Sequence, residues 1–192
     1  MSEPIKLIAG LGNPGEKYRG SRHNAGADFV AALAGQFGAS FTTESRFFGR
    51  VSHFVLLGQQ VRLLIPSTYM NRSGQSVSAM ARYFKVATPN LLVAHDELDF
   101  EPGKARWKEG GGHGGHNGLR DIVKALDENF LRLRIGIGHP GPGREVTDYV
   151  LGQPSRADRI MIDNSIDQSL DALPLLLRGE WVKATAQLHR SP

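Results

Sequence analysis

Short apolar runs alternate with stretches of helical periodicity along nearly all of the 192-residue chain, and this alternation restricts the fold more than any other feature. Runs of the first kind bury as strands, and stretches of the second lay one apolar face on the resulting sheet. Residues 5–9 read as a first strand closed by Gly10. From 25 to 37, Phe29, Val30, Leu33 and Phe37 recur every three or four positions and predict a helix. Residues 50–57 and 60–65 form a hairpin pattern around Gly58-Gln59, ended by Pro66. Val77, Met80, Ala81 and Phe84 give 73–84 one apolar helical face, and 91–94 is another buried strand.

The ladder continues with a short strand over 104–108, a helix over 119–126 and a strand over 131–137 that alternates Arg with apolar residues. Ser155 and Asp158 suit a capped helix start, followed by a stripe of Ile162, Ile166, Leu170, Leu173 and Leu177. Pro174 inside that stripe predicts a kink or a division, and Gly179 sets off a last helix over 181–188. With no repeat or linker, residues 1–192 are expected to form a single α/β domain. Its sheet should be mixed, mostly parallel and twisted, with helices on both faces. The pattern does not give the strand order.

The absence of cysteine removes disulfides, thiolate metal sites and cysteine nucleophiles, leaving His, carboxylates, hydroxyls and amides for chemistry. The net charge is +4, with the basic excess confined to residues 1–144, since 145–192 carry 5 basic against 7 acidic residues. Such a surface permits a polyanionic partner. No apolar stretch approaches the roughly 18 residues of a membrane span and no secretory signal is visible, so a cytoplasmic location without membrane contact is expected.

Gly10-Leu-Gly12-Asn-Pro-Gly15 fits the dinucleotide pattern G-x-G-x-x-G, but the polar, glycine-containing segment after it is no helix start and no second-strand carboxylate follows. The loop instead offers Asn13, Tyr18, Arg22, His23 and Asn24 just past a strand end, where open α/β sheets place ligands; turn and cap roles compete. In Val93-Ala-His95-Asp96-Glu97-Leu-Asp99 a strand runs into three carboxylates. One of them could orient a histidine, or the segment is a solvated turn. Residues 110–118 hold six glycines with His113, His116 and Asn117 before a helix; the loop suits a phosphate or oxyanion, or serves as a lid. His113 and His116 with Asp96 also invite a zinc reading, which the missing i, i+4 helical pair argues against. In Ser67-Thr-Tyr69-Met70-Asn71-Arg72-Ser73-Gly74, Asn71 offers an amide to a carbonyl and Tyr69-Met70 an apolar wall, or Asn71 and Ser73 cap the next helix. No G-x-S-x-G elbow exists, so attack by activated water is the simpler chemistry.

Taken in order, Gly10–Gly15 with Tyr18, Arg22-His23-Asn24-Ala-Gly, Pro66–Gly74, His95–Asp99 and Gly110–Gly118 closely resemble bacterial peptidyl-tRNA hydrolases. The similarity runs through Arg132-Leu-Arg134 to His139-Pro, and more loosely to Leu188. The resemblance implies a monomeric, metal-free and cofactor-free esterase. Its substrate would be peptidyl-tRNA, cut between the peptide and the 3′ end, with the CCA end and acceptor arm as the bound partner. By matching motif, His23 is the base beside Asp96, with Asn13, Asn71 and Asn117 handling carbonyl, backbone or water. Tyr18, Tyr69, Met70 and His116 line the substrate, and Lys108 and Arg134 clamp tRNA phosphates. Tyr69 stands where the family commonly has Phe. A non-catalytic RNA-binding module on the same fold is the rival reading; the complete His23, Asp96 and asparagine set favours the enzyme.

Overall fold

The computed structural model describes residues 4–190. Seven strands form one sheet in the order β2-β3-β4-β1-β5-β7-β6, where β1 is Leu7–Gly10, β2 Thr42–Glu44, β3 Gly49–Leu56, β4 Gln59–Pro66, β5 Leu91–Glu97, β6 Ala105–Glu109 and β7 Leu131–Gly136. The sheet is mixed, as the sequence predicts. β4, β1, β5 and β7 run parallel at its centre, and antiparallel strands close both edges. The apolar runs of β1 and of β5 at Leu91–Ala94 are uninterrupted because these central strands are buried on both faces.

Helices cover both faces. α1 (Ala25–Gln36), α4 (Val146–Leu151), α5 (Arg156–Leu177) and α6 (Trp181–His189) pack with Ile8, Leu63, Leu92, Leu133 and Ile135 in one apolar cluster. α2 (Ser73–Tyr83) and α3 (Asn117–Ala125) pack with Leu7, Leu64, Leu91, Val93 and Phe130 in the other. Fully buried side chains such as Phe29, Leu33 and Phe130 each contribute about 1.5–3 kcal/mol of hydrophobic stabilisation.

Two local expectations are corrected, and two elements are not read from the sequence. The hairpin turns at Leu57-Gly58, not Gly58-Gln59: both residues have positive φ (53° and 75°), which matches the twist of the flanking strands. α5 is not divided at Pro174 but runs three residues beyond it, because proline removes one N–H near the helix end while Leu173, Leu176 and Leu177 stay buried. β2 and α4 carry too little periodicity to be read in advance.

The first glycines serve packing. A Cβ on Gly10 would strike the carbonyl of Gly26, and one on Gly26 the carbonyl of Ala94. These absences bring the start of α1 against the end of β5, and no α-helix begins at Gly15, where φ is +97° and only the short 3₁₀ turn Glu16–Tyr18 follows. Among the described residues, no helix is long and apolar enough to cross a membrane.

Candidate active site

Asp96 is the last buried residue of β5, on the strand face turned toward α1. Because Gly26 lets α1 approach β5, the 3₁₀ turn Arg22–Asn24 ahead of that helix sets His23 against the carboxylate. His23 Nδ1 lies 2.9 and 3.0 Å from the two oxygens of Asp96. An ionised carboxylate only accepts, so Nδ1 carries the proton and Nε2 presents its lone pair. That Nε2 has no hydrogen bond among the described residues and is not sealed from solvent.

A second imidazole reaches the same carboxylate. His116 caps α3 with Nδ1, which accepts from the N–H groups of Gly118 and Leu119 at 3.1 and 3.3 Å. Its proton is therefore on Nε2, 2.8 Å from Asp96 Oδ1. The rings of His23 and His116 stand 5.0 Å apart. His95, buried behind them, has its ring edge-on to His116 at 5.1 Å, and its Nδ1 donates to the Asp96 carbonyl at 2.7 Å.

Burial disfavours the charged form of Asp96, but the charges and N–H donors of His23 and His116 outweigh it and hold the carboxyl far below the usual carboxylate range. For His23, burial pulls the pKa down, and the opposing charge and hydrogen bond of Asp96 leave it raised above the ordinary value. Burial first, then the neighbouring His116, lowers His95 to about 3, so this ring stays neutral.

Asn13 is fixed from two sides. Asn24 brackets its backbone, accepting from Asn13 N–H at 2.8 Å and donating to its carbonyl at 3.0 Å, while Asn13 Oδ1 accepts from Met70 N–H at 2.7 Å. The donating half of the Asn13 amide has no hydrogen bond among the described residues. The role of Asn24 was not legible, since nothing in local spacing distinguishes a cap from an anchor. Asn71 lies exposed in the 3₁₀ turn Met70–Arg72. Asn117 is exposed at the start of α3, its Oδ1 accepting from Arg120 at 3.1 Å. Met70 is buried beneath this region, with its sulfur against Gly118, whereas Tyr69 is exposed, so solvent satisfies its hydroxyl. Tyr18 is half-buried in the turn Glu16–Tyr18.

The two cations on the β6–β7 edge differ. Arg134 is already paired, with Nε 2.8 Å from Glu97 and the guanidinium over Phe100 at 4.3 Å. Lys108 makes no ion pair among the described residues and lies half-buried beside the glycine loop.

Candidate metal ligands are His23, Asp96 and His116, whose ligand atoms lie within 4.8 Å of one another. His113 is not among them; its Nδ1 instead accepts from Gly115 N–H at 3.0 Å inside the loop. In this geometry both imidazoles donate protons to Asp96, and a cation would have to displace them. A groove of about 420 Å³ on the open face of β2, β3 and β4, lined by Arg46, Arg62 and Tyr83, lies away from these groups.

A sequence model of the family described as Peptidyl-tRNA hydrolase matches residues 7–192. Peptidyl-tRNA hydrolase of Pseudomonas aeruginosa is 54% identical over 187 residues, covering 96% of each chain. That of Alcanivorax borkumensis is 50% identical over 191 residues, covering 98% of each. A crystal structure of the Acinetobacter baumannii peptidyl-tRNA hydrolase superposes with a TM-score of 0.94 at 48% identity, over 97% of this chain and 95% of that one. A 5′-methylthioadenosine nucleosidase of Arabidopsis thaliana, 9% identical with a TM-score of 0.52, shares the fold alone.

Proposed function

Because the chain belongs to the peptidyl-tRNA hydrolase family and hydrolyses peptidyl-tRNA, we propose that His23 is the general base that activates water against the ester joining peptide to tRNA. The observation that carries this reading is the His23–Asp96 contact, which puts the proton on Nδ1 and leaves Nε2 as an open lone pair. Water gives its proton to Nε2 as its oxygen attacks the ester carbonyl, and the imidazolium so formed is stabilised by the Asp96 carboxylate. Collapse of the tetrahedral intermediate breaks the bond to the ribose oxygen, which takes the proton back from His23 and leaves as the tRNA 3′ hydroxyl.

Asn13, pinned by Asn24 and Met70, turns its amide N–H groups toward the peptide or the carbonyl oxygen. A donor meeting developing negative charge is worth about 3–4 kcal/mol in the transition state. Asn71 and Asn117 sit on neighbouring turns and divide the remaining contacts, to peptide and to water. His116 holds Asp96, Tyr18 and Tyr69 border the 3′ end, and Met70 supports the wall from beneath. Lys108 and Arg134 take phosphates of the acceptor arm, with Arg134 sharing its charge between Glu97 and phosphate. The enzyme works as a cytoplasmic, metal-free monomer of one domain.

Incubation with N-blocked aminoacyl-tRNA and with free aminoacyl-tRNA tests the reading. Release of tRNA from the blocked substrate should depend on His23, and His23→Ala should lower kcat by at least about 100-fold with tRNA affinity retained. Full activity of His23→Ala would remove the base from this position.

A further inference from the structure

The glycine loop rests on a buried cation. Arg132 in β7 is 2% exposed; its Nη1 donates to the Gly112 carbonyl at 2.6 Å, and its Nη2 donates to the Gly111 carbonyl. The guanidinium lies over the Phe130 ring at 4.7 Å. No ion pair among the described residues includes Arg132, so two loop carbonyls stand where a carboxylate would ordinarily be needed to bury such a charge.

A trans peptide carries its C=O and N–H on opposite sides. Drawing the carbonyls of Gly111 and Gly112 onto Arg132 therefore turns the N–H groups of Gly112 and His113 away from it. Neither N–H has a hydrogen-bond partner among the described residues. Next to Gly111, the residue before them, stands Lys108, the cross-strand partner of Arg132. A Cβ on Gly111, whose φ of +96° favours glycine, would come within 3.1 Å of Lys108 Nζ. Like charges directly opposite in a sheet repel, and an anion shared between loop and lysine relieves that repulsion. Successive outward N–H groups flanked by a cation form a concave receptor of the kind that holds phosphate.

We infer that the N–H groups of Gly112 and His113, aimed by Arg132 and flanked by Lys108, form a phosphate subsite for the tRNA substrate, with Arg132 as its positioning residue. The inference rests on the reading of Lys108 as a phosphate contact. It adds backbone donors and a buried anchor that make no appearance in a comparison of surface charges.

The test follows the amide resonances of Gly112 and His113 in ¹⁵N-labelled full-length protein titrated with inorganic phosphate or with deacylated tRNA. In the wild type both should shift saturably with each probe. In Lys108→Ala the shifts should persist, with half-saturation at several-fold higher probe. Arg132→Met should abolish them and raise KM for peptidyl-tRNA by about fivefold or more, yet leave the protein folded, since the released carbonyls of Gly111 and Gly112 lie in a loop that solvent reaches. Should Arg132→Met fail to fold, Arg132→Lys retains the charge with one point of contact and should weaken the shifts in the same direction. Silent amides in the wild type beside a weakened Lys108→Ala would overturn the subsite and leave the Lys108 reading standing. Responsive amides beside a wild-type KM and salt slope in Lys108→Ala would overturn the inference as stated, since Lys108 would then have no part in the site. Amides that answer phosphate but not tRNA would overturn the assignment to the substrate, and shifts surviving intact in both Arg132 variants would strip Arg132 of its role.

Discussion

His116 Nε2 stands 2.8 Å from Asp96 Oδ1, the oxygen that His23 Nδ1 also reaches at 2.9 Å. One buried carboxylate thus fixes the tautomers of two imidazoles, and each imidazole in turn keeps the carboxylate ionised. His23 and the cap of the helix after the glycine loop are tied through a single side chain.

Asp96→Asn should lower kcat by about 100-fold or more. The amide oxygen can still accept from both rings, but the NH₂ would face His23 Nδ1–H where the second carboxylate oxygen accepted, and an amide offers no charge to an imidazolium. Single-turnover hydrolysis of peptidyl-tRNA reads the effect. Wild-type turnover would make Asp96 a structural strand end.

Two variants divide the roles of His116. His116→Ala should cost about 1 kcal/mol of stability by uncapping α3. It should also slow turnover by roughly tenfold to 100-fold, the size of one lost charge-assisted hydrogen bond. His116→Asn restores a capping oxygen but is too short for Asp96, so denaturant unfolding should recover while kcat does not. Recovery of both would confine His116 to capping.

The pH dependence has opposite signs for two histidines. His23 is raised in the folded protein, so its ion pair with Asp96 contributes stability that is fully present below 6.5 and lost as pH rises through the folded pKa. Activity needs the neutral ring, and the acid limb of kcat/KM should therefore lie above 6.5. His95 is lowered to about 3, so stability falls as pH drops from about 6.5 to about 3, while the unfolded chain takes up a proton that the folded one refuses. Urea titrations of His95→Leu between pH 4 and 6.5 should show a flatter slope than the wild type. An equal slope would place the acid sensitivity elsewhere.

Glu97→Gln probes the phosphate reading of Arg134. Releasing the guanidinium from its 2.8 Å pair should tighten tRNA binding and steepen its dependence on log salt, by up to roughly 0.7–0.9 for one full contact. Lys108→Ala should flatten the same plot by a similar amount. Weaker binding by Glu97→Gln would mark the pair as structural.

Prolonged EDTA treatment should leave activity unchanged, whereas excess Zn²⁺ should inhibit by taking His23, Asp96 and His116 as ligands, with EDTA restoring the rate. Loss of activity on chelation would refute the metal-free mechanism.

Period and composition alone determined most of the succession of elements, β2 and α4 excepted. The spacing of Phe29, Val30 and Leu33, the run Leu91–Ala94 and the stripe from Ile162 to Leu177 each have one economical burial, as a helix face or as a central strand. The motif resemblance named His23, Asp96 and His116, which the structure brings together. The order of strands, the approach of α1 to β5 across Gly26, and the meeting of His23, Asp96 and His116 were decided by the tertiary structure. These partners lie 73 and 20 positions apart along the chain. The anchoring of Asn13 by Asn24 and of the glycine loop by Arg132 was settled in the same way, by hydrogen bonds whose partners no local pattern encodes. Periodicity reports which face of a segment is buried; which buried faces meet depends on packing summed over the whole chain.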